Sequence, residues 1–336
     1  MTRTHILMRA GLALASGLAA SASGHAGEGR ESLSQLRSVP AARAEWRKAH
    51  AGESGRVIGG VRAAKDAWPF QIALLSSARL TDDPQSQGDA QFCGGSLIAP
   101  QWVLTAAHCM FDGEERIVPA DVTVLAGATN LNEGRRIAVA EIHVHEGYDH
   151  AEGSFEDDLT LLKLAEPADR PVVALASAGG GEVTLIGWGR MEDGSYPLDL
   201  MQAEIEMPPP SVCNQAVKDI YVGDLRGFFA DFAARSRIDP HATEVATALF
   251  ASSMGDPLTE AMLCAGLPQG GHDHCYGDSG GPLLLRDPQG DRQVGIVSWF
   301  ISPEAAEPVC GAAGVYGVYT RVANYRDWIA AKTGAQ

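Results

Sequence analysis

The stretch GDSGGP at Gly277–Pro282 places Ser279 in a glycine-rich segment and is the part of the sequence that most clearly indicates the fold. A serine hydroxyl becomes a useful nucleophile only when a neighbouring base removes its proton. Glycines permit the tight backbone turn that would expose such a side chain. A plain glycine turn is the alternative interpretation, so other segments of the chain must decide between the two.

Two segments that precede this stretch carry a histidine and an aspartate, LTAAHC at Leu104–Cys109 and DLTLLKL at Asp158–Leu164. Taken singly, a histidine beside a cysteine is usually structural, and an aspartate before an apolar strand usually caps that strand. A Gly-x-Ser-x-Gly motif is also typical of α/β-hydrolases, which place their histidine after the serine. No histidine follows Ser279 in this sequence, which excludes that class.

Together and in this order, the three segments resemble those of the trypsin-like serine proteases, which have the chymotrypsin fold. Three further segments extend the resemblance: CGGSLI at Cys93–Ile98, GWG at Gly187–Gly189 and GVYTRV at Gly317–Val322. The resemblance covers Val57 to about Ala331, apart from a helix-prone stretch. It implies a serine endopeptidase that acts on proteins or peptides, and no cofactor is expected. Trypsins bind calcium in an acidic loop, but the matching stretch, 126–136, has only Glu133 as an acid, so no metal is expected there.

The chain after Val57 consists of short apolar runs, such as Phe70–Leu75 and Val294–Trp299, broken by turn-forming residues. This pattern favours an all-β sandwich or barrel. The resemblance implies two packed six-stranded antiparallel β-barrels with a C-terminal helix. The first barrel would supply His108 and Asp158, and the second would supply Ser279.

A helical insertion is predicted in the second barrel, at about 218–263. Phe228, Phe229 and Phe232 are spaced to share one face of a helix. An apolar helix face has to be buried, and packing against the chain's own barrel is the favoured interpretation. A docking surface for a protein substrate or partner is the alternative.

The resemblance assigns a catalytic role to each residue of a triad. Ser279 would attack the substrate, His108 would act as base and then acid, and Asp158 would orient His108. Asp157 is a rival for the last role, but the family places its aspartate directly before the apolar strand. The backbone amides of Gly277 and Ser279 would form the oxyanion hole.

The resemblance also assigns six residues to the substrate pocket: Asp273, His274, Ser298, Trp299, Phe300 and Gly317. A carboxylate at Asp273, at the base of the pocket, implies cleavage after Lys or Arg. Two residues depart from the trypsin pattern, because His274 replaces a small hydroxyl residue and Phe300 replaces a glycine. A closed pocket at Phe300 leaves an alternative open, a catalytically weak or inactive binding protein on the same fold.

The N-terminal residues predict export. Residues 1–26 combine basic residues with the short apolar run Gly11–Ala20, which is typical of a signal peptide and too short for a stable membrane span. Residues 27–56 are interpreted as a polar pro-segment with weak helical character that cannot form a core. Residues 57–336 would be the protease domain of a secreted protein, either extracellular or periplasmic.

The sequence RVIGG that begins at Arg56 resembles the activation junction of the family. Cleavage after Arg56 would free the amino group of Val57. The resemblance implies that this ammonium pairs with Asp278 and orders the pocket of the zymogen. Because Arg56 fits the implied preference for Lys or Arg, both an activating protease and self-activation are open.

Six cysteines, an even number, are consistent with disulfides formed in an oxidising compartment. The sequence itself leaves several pairings open, whereas the resemblance implies the pairs Cys93–Cys109, Cys213–Cys264 and Cys275–Cys310. The formal net charge of −16 makes nucleic acid and anionic lipid unfavourable partners. His272–Cys275 is only faintly like a metal-binding cluster, since zinc needs about four converging ligands.

Overall fold

The computed structural model describes residues 35–50, 60–151, 155–286, 290–303 and 310–334. The predicted signal peptide and the Arg56–Val57 junction lie outside the described residues. In chain order the helices and strands are α1 (Gln35–Ala49), β1 (Val61–Arg62), β2 (Gln71–Ser76), α2 (Ser86–Ala90), β3 (Gln91–Ala99), β4 (Trp102–Thr105), β5 (Phe111–Asp112), β6 (Glu115–Arg116), β7 (Val122–Ala126), β8 (Arg135–Val144), β9 (Thr160–Leu164), β10 (Ala174–Leu175), β11 (Gly181–Gly187), β12 (Met201–Met207), α3 (Pro210–Ser236), α4 (Pro240–Ser253), β13 (Met262–Ala265), β14 (Pro282–Leu285), β15 (Arg292–Trp299), β16 (Gly317–Arg321) and α5 (Arg326–Thr333).

The first half of the protease body is a closed antiparallel barrel with the strand order β2-β3-β4-β9-β8-β7. Its strands are rich in leucine, isoleucine and valine, and Ile72, Leu104 and Leu161 are among the side chains that are fully buried inside it. Full burial of such a side chain stabilises a fold by about 1.5–3 kcal/mol. The predicted first barrel is therefore present.

The second half is an eight-stranded sheet with the order β1-β12-β11-β14-β15-β16-β13, to which β10 adds beside β15. The end of β12, the strand next to β1, approaches the chain just after β13 at a single bridge, where the Gly266 amide donates to the Glu206 carbonyl at 3.0 Å. Six strands thus curl into a second, incompletely paired barrel. The expected fold of two β-barrels with a C-terminal helix is confirmed.

The two halves meet at the turn that carries Ser279. The Gly94 amide in β3 donates to the Ser279 carbonyl at 2.7 Å, and the Gly280 amide donates to the Val297 carbonyl of β15 at 2.8 Å. Side chains from both halves contribute to one large apolar cluster, including Leu284 and Ile296 of the second half. Ser279 therefore lies at the junction of the barrels.

The insertion is helical, but it begins earlier than expected and its aromatic face is not buried on the barrel. Its helices α3 and α4 run over Pro210–Ser236 and Pro240–Ser253 and pack on each other, with the Phe229 and Phe250 rings 6.0 Å apart. Phe228 remains 62% exposed and Phe232 remains 50% exposed. The interpretation that this face packs on its own barrel is wrong.

The physical reason lies in the attachment of α3. Its buried residues, which include Cys213 and Val217, lie mainly in its first two turns, close to the disulfide from Cys213 to Cys264 at β13. A helix of 27 residues is about 40 Å long, so its later turns extend beyond the barrel. None of the helices in the described ranges is long and apolar enough to cross a membrane.

The interpretation that the pro-segment contributes nothing to a core is also wrong. Leu36 and Val39 of α1 belong to the main apolar cluster, and Arg43 is only 2% exposed. These residues share one face of α1, and that face lies against β3. The sequence pattern is weak because α1 is buried along one narrow stripe and Pro40 lies inside the helix.

Candidate active site

His108 lies in a short 3-10 turn, His108–Met110, that follows β4. The disulfide between Cys93 and Cys109 ties this turn to β3. The histidine is 2% exposed, so its ring orientation is set by the protein and not by solvent. Because β4 pairs with β9 through Thr105 and Thr160, the turn lies beside the residues that precede β9.

Asp158 lies two residues before Thr160, the first residue of β9, and is fully buried. Its Oδ2 accepts from Nδ1 of His108 at 2.8 Å, and its Oδ1 accepts from the His108 backbone amide at 2.8 Å. The Ser298 hydroxyl also donates to Oδ2. Nδ1 of His108 is thereby committed to Asp158, which leaves Nε2 as the nitrogen that can exchange a proton with a substrate or nucleophile.

The ionisation of Asp158 is decided by these contacts. Burial by itself raises the pKa of its carboxyl group, but the charge of His108 and the hydrogen bonds from His108 and Ser298 outweigh burial. The pKa of Asp158 therefore lies below its ordinary value, and the carboxylate stays ionised near neutral pH. An ionised Asp158 can hold the His108 tautomer and stabilise its protonated ring.

The rival aspartate, Asp157, faces another part of the molecule. Its Oδ1 accepts from the Tyr325 hydroxyl at 2.7 Å, and its Oδ2 lies 3.9 Å from Nδ1 of His145. Its backbone has a φ of +53°, a left-handed conformation that turns the chain between the two aspartates. The geometry thus places Asp158, and not Asp157, against His108.

The turn around Ser279 requires glycine. Gly277 and Gly280 have φ values of +101° and +78°, in the left-handed region. A Cβ atom on Gly280 would lie 2.1 Å from Oγ1 of Thr105 and 2.7 Å from the Gly94 carbonyl oxygen. No larger residue fits there without moving β3 or β4. Ser279 and His108 line one cleft.

The expected pocket residues divide into two sets. His274, Ser298, Trp299 and Phe300 line the cleft with Ser279. Asp273 and Gly317 do not line it. The Asp273 side chain is 1% exposed, with Oδ1 accepting from the His274 amide at 2.8 Å and lying 3.3 Å from Nδ1 of His274. Asp273 lines a separate cavity together with Asp278.

Phe300 packs against two other residues that line the cleft. Its ring stands edge-on to the His274 ring at 5.6 Å and to the Tyr276 ring at 5.7 Å. Nε2 of His274 is buried and has no hydrogen-bond partner among the described residues. Of these two adjacent side chains, the His274 imidazole lines the cleft and the Asp273 carboxylate does not.

Asp278 is buried on the far side of the turn. Its Oδ1 accepts from the Gly189 amide at 2.7 Å and its Oδ2 from the Cys275 amide at 3.0 Å. Burial nevertheless raises the pKa of Asp278 to about 6. Asp278 lines a small cavity that also contains Gly60, the first described residue after the Arg56–Val57 junction.

Several residues of the cleft were missed by sequence reasoning. Phe155 stands edge-on to the His108 ring at 6.1 Å and stacks with Trp299 at 6.0 Å. Tyr276 and Gln35 also line the cleft. Nothing in the sequence around Phe155 or Gln35 signals this position, because both come from segments whose path is set by tertiary contacts.

The structure pairs the six cysteines as the resemblance implies: Cys93 with Cys109, Cys213 with Cys264, and Cys275 with Cys310. Within the described ranges, one group of side chains is close enough to hold a metal, and it consists of His108 and the disulfide-bonded Cys93 and Cys109. A disulfide sulfur is not a thiolate, so this group does not fit a metal ion.

Comparison with known proteins agrees with this site. Residues 57–231 and 241–329 match the trypsin family. The chain is 32% identical over 299 residues to coagulation factor XII of Sus scrofa, a match that covers 82% of this chain and 39% of the relative. It is 32% identical over 289 residues to transmembrane protease serine 11G of Mus musculus, covering 83% of this chain and 55% of the relative. The chain thus spans about half or less of the length of these relatives. The chain therefore belongs to the trypsin family of serine proteases.

Proposed function

We propose that this chain is a secreted serine endopeptidase zymogen that hydrolyses peptide bonds through an acyl-enzyme. The observation that carries the proposal is the buried His108–Asp158 pair in the same cleft as Ser279. The matching test is covalent labelling of Ser279 by a fluorophosphonate, which reacts only with an activated serine. Labelling confined to the Ser279 peptide, and absent after replacement of Ser279, is expected.

The geometry supports the following steps. Nε2 of His108 takes the proton of the Ser279 hydroxyl as Oγ attacks the substrate carbonyl carbon, and Asp158 stabilises the imidazolium that forms. The amides of Gly277 and Ser279 would donate to the oxyanion. His108 then gives the proton to the leaving amine. A water molecule repeats the sequence on the ester and releases the acid.

The zymogen proposal is supported by the environment of Asp278. Its raised pKa of about 6 means that the folded chain disfavours the carboxylate, by roughly 3 kcal/mol relative to an ordinary aspartate. This cost is absent well below pH 4, grows as pH rises toward 6 and is fully present above it. An ammonium group at Val57, freed by cleavage after Arg56, would remove the cost by pairing with the carboxylate.

Replacing Arg56 with glutamine should therefore leave the chain uncleaved at this junction, with peptidase activity lower by about a hundredfold, comparable to the loss of an oxyanion-hole donor. Activity on a peptide pool and N-terminal sequencing check this expectation. The active wild-type protein should begin at Val57. Full activity in a protein that begins elsewhere would contradict the Val57–Asp278 pair.

Specificity for Lys or Arg belongs to the same proposal, and it needs access to Asp273. Because His274 lines the cleft and the adjacent Asp273 is buried outside it, His274→Ser should raise kcat/KM for substrates with Lys or Arg at the cleaved position by about tenfold, the equivalent of 1.4 kcal/mol. Asp273→Ser should remove the preference in either background. A peptide-library profile of the three variants and the wild type checks this.

A wild-type preference for small or aromatic residues, unchanged by Asp273→Ser, would show that Phe300 governs the pocket and would refute the Lys/Arg proposal. The second candidate function, a weakly active binding protein, is favoured by one observation: His274 and Phe300 line the cleft and Asp273 does not. Absence of fluorophosphonate labelling after cleavage at the junction would favour that candidate over the peptidase.

A further inference from the structure

The helix α1, which precedes the protease domain, lies against one wall of the catalytic cleft. Gln35 at its first position lines the cleft together with His108 and Ser279 and is 8% exposed. Val39 is 2% exposed, and its Cγ1 is 3.4 Å from the position that a Cβ atom on Gly277 would occupy. One face of α1 thus reaches both the cleft and the turn of the oxyanion hole.

Arg43 is the polar anchor of this contact. Its guanidinium donates to the Trp188 carbonyl, to Oε1 of Gln91 and, at 3.4 Å, to the Gly88 carbonyl, and it lies 4.8 Å from the centre of the Tyr196 ring. Burial lowers the pKa of Arg43 to about 10, so the group remains a cation at neutral pH. Burying a cation is costly unless its donors are bonded. The three acceptors around the Arg43 guanidinium therefore offset part of the cost of its burial.

The contacts of α1 continue into the catalytic machinery through Gln91. Nε2 of Gln91 donates to the Gly277 carbonyl at 2.7 Å, while its Oε1 accepts from Arg43. On the other side, Arg37 forms an ion pair with Asp112, just beyond the His108–Met110 turn. The two turns that carry the proposed catalytic groups are therefore both in contact with α1 or one side chain away from it.

We propose that α1 is an inhibitory segment whose binding surface is the wall formed by β3, the His108–Met110 turn and Gly277. It occupies part of the cleft through Gln35 and restrains the Gly277 peptide through Arg43 and Gln91. No cysteine precedes Cys93, so no disulfide ties α1 to the protease domain after cleavage at the junction. Its release is then a second step of activation, distinct from the freeing of Val57.

The proposal rests on the proposed peptidase function, so its test uses one readout that is independent of catalysis. Full-length proteins would carry, in place of residues 52–56, a recognition sequence for a protease that cuts nowhere else and leaves Val57 first. The variants are Arg43→Gln and a matched control in the same helix, Arg47→Gln. Arg47 pairs with Asp89 at the surface and is 43% exposed, and such pairs contribute little.

Two quantities are measured after cleavage: hydrogen exchange of the α1 amides, and the rate constant for labelling of Ser279 by a fluorophosphonate. Arg43→Gln should lose exchange protection in α1 and label at least about tenfold faster than the wild type. Arg47→Gln should stay within about twofold of the wild type. Added synthetic peptide of residues 35–49 should slow labelling of the Arg43→Gln protein.

Loss of protection in α1 with an unchanged labelling rate would overturn the proposal, as would slower labelling, since α1 would then support the site. If Arg43→Gln does not fold, Val39→Ala replaces it, with the same expectations at smaller size. Equal labelling rates in all variants would refute inhibition by α1 but would leave the peptidase function standing. Absence of labelling in every variant refutes the peptidase function itself, so the two failures are distinguishable.

Discussion

Ser279→Ala is expected to lower kcat for peptide hydrolysis by on the order of a millionfold, because the three residues of the triad act as a unit. Without the hydroxyl, no acyl-enzyme can form, and the His108–Asp158 pair has no nucleophile to activate. The residual rate should be that supplied by substrate binding and the oxyanion donors. Labelling by fluorophosphonate should disappear completely.

The measurement is steady-state hydrolysis of a peptide pool by protein cleaved at the junction, with mass spectrometry of the labelled protein. Ser252→Ala is the matched control, since its hydroxyl donates only to the Leu249 carbonyl within the exposed helix α4. That control should retain wild-type kcat. An acyl-enzyme detected in the Ser279→Ala protein would show that another residue is the nucleophile.

Asp158→Asn is expected to lower kcat by about ten-thousandfold while leaving the fold intact. The carboxylate accepts from both Nδ1 and the backbone amide of His108 and from Ser298. An amide at this position offers an acceptor on one side only. The other side would present a donor to His108 and hold its proton on Nε2, so that the ring could no longer take the Ser279 proton.

The adjacent aspartate provides the control for this prediction. Asp157→Asn should change kcat by only a few-fold, because Asp157 contacts Tyr325 and His145 and does not touch His108. Both variants are compared by kcat on one peptide substrate and by thermal unfolding. A larger loss of activity in Asp157→Asn than in Asp158→Asn would reverse the assignment.

Under the two proposals, the activity of the uncleaved chain would be limited at two places, the surroundings of Asp278 and the surface covered by α1. Asp278 is buried without a paired cation at hydrogen-bond distance among the described residues, which is the state that a freed Val57 amino group would relieve. Arg43 acts on Asp278 only through its charge, and it bonds instead to Trp188 and Gln91. Under these proposals, cleavage at the junction and departure of α1 would be two separate steps.

The segments that carry the proposed triad stand out in the sequence because their residue types are required by the proposed chemistry and by close packing at short range. A nucleophile, a base and an orienting carboxylate admit few substitutes, and Gly280 has no room for a side chain beside Thr105. The family resemblance then supplied the β-barrel fold and the expected partners of the cysteines. The fold and the cysteine pairs could be inferred because the motifs that carry the resemblance are short, continuous segments of sequence.

The remaining features were decided by contacts between segments that are distant in sequence. The structure alone shows that His274 and Phe300 line the cleft while Asp273 lines another cavity. It also shows that Phe228 is exposed because α3 extends well past its disulfide at Cys213. The sequence by itself determined the class of fold and pointed to the proposed chemistry. Only the tertiary structure decided that Leu36, Val39 and Arg43 of the polar segment before the junction have a buried site, because the apolar surface and acceptors that they need belong to the protease domain.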